Sequence, residues 1–299
     1  MLTPRYNIAE FWEEVIYIAE VELPKGTLLK GRYVVERSLG SGGFGITYLC
    51  MDNVVGEYVA VKEYFPKLAV REGLNLVIPR QYDIQEHYTR VESFLDESKI
   101  ASKFVDVRIV RQTDSFRENS TAYYVMEYVE GPTLVQFIRS NGPLKAQEAV
   151  RIAEEISLGL RSIHDAGFVH GDLKPTNVIL KNERAVKITD FGGASMRDSF
   201  FMPLHAGVVS LHYSAPERFV RCIMPTAQSD IYSLGGVLFF LVSGLDPVPA
   251  PDRLKGIAMA DPPTNYRLRR VIRKAMAMAM SDRYQDILQL IRALRKRLF

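Results

Sequence analysis

Apolar positions along this chain follow two periods in turn. Residues 7–21 carry Ile8, Phe11, Trp12, Val15, Ile16 and Ala19 at helical spacing behind Asn7, a candidate cap with Glu10 three positions on, and predict an amphipathic helix. Leu23, Pro24, Lys25 and Gly26 then mark a linker or turn. Alternation takes over at Tyr33 and Val35 and returns in residues 46–50 and 58–64, which predicts strands. Phe94, Ile100, Ala101 and Phe104 suggest a helix, and residues 123–131 read as an edge strand ending at Gly131. From Pro143 onward the character is helical. Ala149, Ile152, Ala153, Ile156, Leu160 and Ile163 line one face of a long helix stopped by Gly167. Two short alternating runs, 178–180 and 185–189, flank a turn, residues 229–244 form an almost wholly apolar helix opening near Asp230, and a last helix ends in basic residues. Strands first and helices after predict an α+β chain.

Composition narrows the class. The chain of 299 residues is 47% hydrophobic, ample for a buried core, and its net charge of +3 against 24% charged residues calls for neither nucleic acid nor a membrane surface. Cys50 and Cys222 are far apart and lack metal-ligand spacing, so each reads as a small apolar residue in a reducing compartment. No run reaches the roughly 18 consecutive apolar residues of a membrane span, and no basic-then-apolar leader opens the chain. The expected location is cytoplasmic.

The candidate chemistry sits in residues 168–192, FVHGDLKPTNVILKNERAVKITDFG. Asp172, Lys174 and Asn177 share a short polar segment, and a hairpin of the two runs that follow would bring Asp190 beside them. Oxygen ligands so placed beside apolar strands ask for a divalent metal with nucleotide phosphates. Gly40, Gly42 and Gly45 lie at a hairpin tip, where they allow backbone N–H groups to approach phosphates. The run continues as a strand, which argues against a dinucleotide-binding turn. A single lysine, Lys62, stands in the β-branched run of residues 58–64.

These motifs, in this order, resemble the eukaryotic-like serine/threonine protein kinases of bacteria: a glycine hairpin, Val-Ala-Val-Lys, His170-Gly171-Asp172 with Lys174 and Asn177, Asp190-Phe191-Gly192, and Ala215-Pro216-Glu217. The resemblance implies a bilobal protein-kinase-like fold, with an N-terminal helix and linker over 1–29, a small β-rich lobe and hinge over 30–131 and a larger helical lobe over 132–299, with ATP in the cleft. It implies that Asp172 orients and deprotonates a Ser or Thr hydroxyl, Lys174 steadies the phosphoryl group, and Asn177 and Asp190 hold Mg2+, Mn2+ being an alternative. Lys62 would grip the α- and β-phosphates with a helix glutamate as partner, Glu97 before Glu92. Gly40, Gly42, Gly45, Val59, Ala60, Met126 and the backbones of Glu127 and Val129 would complete the ATP site. Asp230 would tie down the loop around Asp172, His170 would be structural, His164 a helix-dipole partner, Ser210 would touch Asp172 and Lys174, and Arg283 would pair with Glu217.

Residues 63–80, with their Glu-Tyr-Phe-Pro start, resemble an insertion in bacterial members of the family. Gly171 stands where many protein kinases carry an arginine that binds an activation-loop phosphate, which implies activity without that modification. Gln112 stands where a buried apolar residue is usual. The expected partner is a protein with a Ser or Thr acceptor, the chain itself included, while the N-terminal helix packs on its own lobe or docks a partner or second copy. Two alternatives stay open: a small-molecule kinase of the same superfamily, which often carries His-Gly-Asp, and a nucleotide-binding pseudokinase scaffold.

Overall fold

The structure, a computed structural model, describes residues 21–42, 45–79, 83–181, 185–196, 209–220 and 223–296. The amphipathic helix expected over residues 7–21 lies, save for Val21, outside the described residues. The chain divides into two compact units: one holds residues up to Val91 together with Asp114–Val125, the other Glu92–Thr113 and Met126 onward.

The first unit is built on a six-stranded sheet. In chain order its strands are β1 (Leu28–Leu29), β2 (Tyr33–Gly42), β3 (Gly45–Asp52), β4 (Glu57–Tyr64), β7 (Gln112–Glu118) and β8 (Thr121–Glu127), and in space they run β1-β2-β3-β4-β8-β7. Tyr33 and Val35 on β2, Tyr48 and Cys50 on β3, Val61 on β4, and Tyr123 and Val125 on β8 alternate onto one face and form its core with Leu23 and Leu29. Burial pushes the Cys50 thiol up to about 12, which makes it an inert packing group. The run ending at Gly131 is therefore not an edge strand. β8 lies between β4 and β7, and its first six residues are all buried, so it offers no side to solvent.

The insertion folds as a hairpin, β5 (Val70–Glu72) with β6 (Asn75–Val77), and is followed by helix α1 (Ile84–Ala101), which starts well before the predicted apolar face. Leu23, read as part of a linker, is buried, and its N–H donates to the Tyr48 hydroxyl at 3.1 Å.

The second unit is helical: α2 (Leu134–Asn141), α3 (Ala146–Asp165), α4 (Ala227–Ser243), α5 (Ala250–Leu254), α6 (Tyr266–Ala275) and α7 (Ile287–Arg295). Local signals set the ends. Thr133 and Gln136 form a capping box at α2, Asp286 caps α7, and α4 stops at Gly244 in the left-handed region. The apolar stripe of α3 packs against α4 and α7, and α4 is buried along almost its whole length, as its unbroken apolar sequence requires. After the short strand β9 (Phe168–Val169), a small hairpin, β10 (Val178–Leu180) with β11 (Val186–Ile188), carries the polar segment before it and Asp190 after it. Gln112 is buried with no hydrogen-bond partner for Oε1 among the described residues, an unfavourable solution at a position usually apolar. Among the described residues no helix is long and apolar enough to cross a membrane.

Glu217 and Arg283 are paired as the sequence suggested. The bridge is bidentate, Nη1 to Oε1 at 2.7 Å and Nη2 to Oε2 at 2.8 Å, and Ser229 adds a bond to Oε1 at 2.7 Å. The remaining guanidinium protons go to the carbonyls of Ala277, Gln228 and Met278. With every donor used and both side chains buried, truncating Arg283 to Ala strands a carboxylate. The expected cost is about 3–5 kcal/mol, or a melting point lower by about 10 °C. Calorimetry on Arg283→Ala checks this, and an unchanged melting point would remove the pair from the stability argument.

Candidate active site

Asp230 enters α4 in its first turn with no exposed surface. Its Oδ1 accepts the Gly171 N–H at 2.8 Å, and its Oδ2 accepts the His170 N–H at 2.9 Å and His164 Nε2 at 2.8 Å. Burial would raise the pKa of Asp230, but the hydrogen bond and charge of His164, with His170 and the Gly171 N–H, outweigh it and hold the carboxyl below its ordinary range. His164, in the last turn of α3, is thus also the carboxylate's partner, a contact the helix-dipole reading did not foresee.

From that anchor the loop presents its side chains. His170 is buried against the Phe191 ring, 5.0 Å between centroids. Its Nδ1 accepts the Asp172 N–H at 3.3 Å while Nε2 reaches the Thr189 carbonyl at 3.4 Å, so it orients the loop and takes no part as a base. The Asp172 carboxylate accepts Lys174 Nζ at 2.7 Å on Oδ2 and Ser210 Oγ at 2.5 Å on Oδ1, and Lys174 also reaches Ser210 Oγ at 3.0 Å. The three side chains close a ring in which acid, cation and hydroxyl touch one another. Ser214 holds Ser210 in turn, its Oγ accepting the Ser210 N–H at 2.9 Å.

Asn177 donates Nδ2 to the Asp172 carbonyl at 3.0 Å, and its Oδ1 accepts the Thr176 hydroxyl at 3.2 Å with a second lone pair left for a cation. Asp190 follows β11 at a φ of 64°, a conformation few residues other than Gly, Asn and Asp adopt. Amide and carboxylate oxygens suit a hard divalent cation that keeps ligands from phosphate and water, and among the described residues no three His, Cys, Asp or Glu side chains converge into a complete cage of another kind. Glu97 is buried on the inner face of α1, and a Cβ built on Gly192 would lie 3.3 Å from its Oε2 and 3.5 Å from Asp190 Oδ1. Glu92 is exposed, so Glu97 is the glutamate turned toward the Asp-Phe-Gly segment.

In the sheet unit, β4 presents Lys62 with Nζ 5.4 Å from the centroid of the Tyr124 ring. The pleat places Ala60 on the face of Lys62 and turns Val59 to the other face, where it packs against the core. The glycines also separate by cause. A Cβ at Gly45 would lie 2.2 Å from the Glu63 carbonyl oxygen, so its neighbour strand demands glycine there, whereas Gly40 and Gly42 have open space around them. At the end of β8, the Glu127 N–H is spent on the Arg111 carbonyl at 2.9 Å and its carboxylate takes Lys187 and the Arg111 N–H. Met126 Sδ lies 3.9 Å from Thr189 Oγ1, and Val129 is buried.

Gly171 adopts a φ of 74°, and a Cβ there would sit 2.2 Å from the Gly193 carbonyl oxygen. The His-Gly-Asp spelling thus has a steric cause as well as an electrostatic one. Restoring the usual arginine with Gly171→Arg is expected to shift Gly193, misplace Asp172 and cut phosphoryl transfer by at least about tenfold. A turnover assay checks this, and parental turnover would show that the close approach gives way without consequence.

Residues 33–296 match the protein kinase domain family. The chain is 34% identical to the serine/threonine-protein kinase PrkC of Bacillus subtilis over 223 residues, 74% of this chain and 32% of PrkC. It is 30% identical over 273 residues to a probable serine/threonine-protein kinase of Clostridium acetobutylicum, 87% of this chain and 39% of that one. With the probable serine/threonine-protein kinase PknB of Lactococcus lactis it shares 30% identity over 275 residues, 88% of this chain and 41% of the other. The chain thus spans under half the length of these relatives. A solved chain described as the apo form of PpkA-294 superposes with a TM-score of 0.79 at 22% identity, covering 92% of this chain and all of the other, which shows the fold. A bilobal α+β fold, a loop tied to a buried aspartate and these relatives converge on one family: the chain belongs to the protein kinases, as a kinase domain related to the bacterial serine/threonine-protein kinases.

Proposed function

We propose that this domain transfers the γ-phosphoryl group of MgATP to Ser or Thr hydroxyls of proteins, itself included. The ring of Asp172, Lys174 and Ser210 carries the reading, because it sets a carboxylate, a cation and a hydroxyl at bonding distance on an anchored loop. Asp172 receives the acceptor's proton as its oxygen bonds to phosphorus and the bond to the β-phosphate oxygen breaks, releasing ADP. Lys174 lies against the charge that develops on the phosphoryl oxygens. Asn177 and Asp190 would hold Mg2+, or Mn2+ in its place, and the ion when bound supplies electrostatic neutralisation of the phosphates.

In the sheet unit, Lys62 and backbone N–H groups near Gly40, Gly42 and Gly45 serve the phosphates and Ala60 the adenine. In the helical unit, Glu97 serves as the helix glutamate, and Met126 with the backbones of Glu127 and Val129 serves the adenine. The domain acts in the cytoplasm, where ATP and magnesium are supplied.

Activity is independent of activation-loop phosphorylation. Gly171 supplies no cation to bind a phosphate, and of the serines in residues 193–214, Ser195 is buried while Ser210 and Ser214 belong to the ring and its support. That leaves Ser199, which lies outside the described residues. The amphipathic segment of residues 7–21 packs on its own lobe or provides a contact with a partner or second copy.

One assay tests these points: labelled ATP, magnesium and a generic basic protein. Label is expected on Ser and Thr, reduced about a hundredfold or more by Asp172→Ala and by Asp190→Ala, and undiminished by Ser199→Ala. ATP binding without transfer would instead identify a pseudokinase, and label found only on small-molecule acceptors a small-molecule kinase. Loss of label in Ser199→Ala would overturn the phosphorylation-independent reading. A chain lacking residues 1–19, which keeps Val21 and Leu23 in place, should differ in mass or partner capture by light scattering; identical behaviour with a lower melting point would assign the segment to its own lobe.

A further inference from the structure

On the face of β4 opposite Lys62 lies a buried polar cluster that the roles above do not use. Glu63 has no exposed surface. Its Oε2 accepts Arg71 Nη2 at 2.7 Å and the Tyr48 hydroxyl at 2.9 Å, and its Oε1 accepts the Tyr123 hydroxyl at 2.8 Å. Arg71 comes from β5 of the inserted hairpin, and its other nitrogens donate to the carbonyls of Leu74 at 2.8 Å and Val21 at 2.9 Å. Burial holds both phenols above their ordinary range, so each stays a donor to the carboxylate.

The cluster mirrors the nucleotide face. β4 and β8 are neighbours, and Lys62 with Tyr124 occupies one side of them while Glu63 with Tyr123 occupies the other. β3 contributes Tyr48 to the back, and three residues earlier Gly45 rests against the Glu63 carbonyl. One carboxylate thus joins β3, β4 and β8 where Lys62 and the end of the glycine hairpin are borne. A buried ion pair is a poor source of stability, since apolar groups of similar volume serve as well. What it adds is direction: three charge-assisted bonds that permit one position of each strand.

We propose that Glu63 and Arg71, with Tyr48 and Tyr123, are positioning residues for nucleotide binding. They hold Lys62 and Gly45 in place from behind, and the inserted hairpin exists to deliver Arg71. This rests on the reading of Lys62 as the phosphate-binding lysine. The experiment measures the dissociation constant for ATP with magnesium by calorimetry on the full chain, and the melting point without nucleotide. Tyr48→Phe with Tyr123→Phe, which keeps the ion pair, is expected to weaken ATP binding about tenfold and to lower the melting point, because Oε1 of the buried carboxylate loses its donor. Glu63→Leu with Arg71→Met removes both charges together, and is expected to melt near the parent while also binding ATP about tenfold more weakly. Arg71→Lys, which keeps the charge but cannot reach Glu63, Leu74 and Val21 together, should bind ATP between these variants and the parent.

Parental affinity in the double Phe variant overturns the proposal, whatever the second pair does, and leaves the cluster a structural feature. Lys62→Ala is the control: if it binds ATP as the parent does, the premise about Lys62 fails, which is distinguishable from failure of the positioning role alone.

Discussion

The bond on which the catalytic loop depends is the one between Asp230 and the backbone before Asp172. A carboxylate with no exposed surface is tolerable only if its oxygens are filled, and here they are filled by two successive loop N–H groups and His164. The same requirement that makes Asp230 costly makes it exact in effect: the loop cannot shift without unpairing a buried charge. α4 supplies rigidity, because it is apolar and buried nearly throughout, and the loop inherits it.

Two further buried carboxylates follow the same logic. Glu217 is filled by Arg283 and Ser229, and Glu63 by Arg71, Tyr48 and Tyr123. Each joins segments far apart in the chain, 66 residues for Glu217 with Arg283 and 60 for Glu63 with Tyr123. Apolar packing defines each unit's core, yet it is non-directional and tolerates sliding. Saturated carboxylates remove that freedom where chemistry needs a fixed geometry.

Much of the site was legible because its chemistry is local in sequence. Asp172, Lys174 and Asn177 fall within six residues, and the hairpin that brings Asp190 near them is encoded by two short alternating runs. Helical stripes such as that of α3 are likewise local, since periodicity reports a face whatever that face meets. Less legible were features set by neighbours. Val59 and Ala60 are equivalent as letters, and only the pleat separates them. Residues 123–131 read as an edge strand, whereas the edges belong to β1 and β7, which follows from strand order alone.

Sequence by itself determined the class of the chain, the order of its elements and the candidate residues for phosphate chemistry, because residue types at short spacings carry such patterns directly. Tertiary structure decided which carboxylate is filled by which donor. His164 became the partner of Asp230, Gly171 proved sterically required by Gly193, and Arg71 of an unassigned insertion closed on Glu63 behind Lys62. Those outcomes depend on contacts between strands and helices remote in the chain, and a buried polar group finds its partner only when the fold has brought that partner within 3 Å or so.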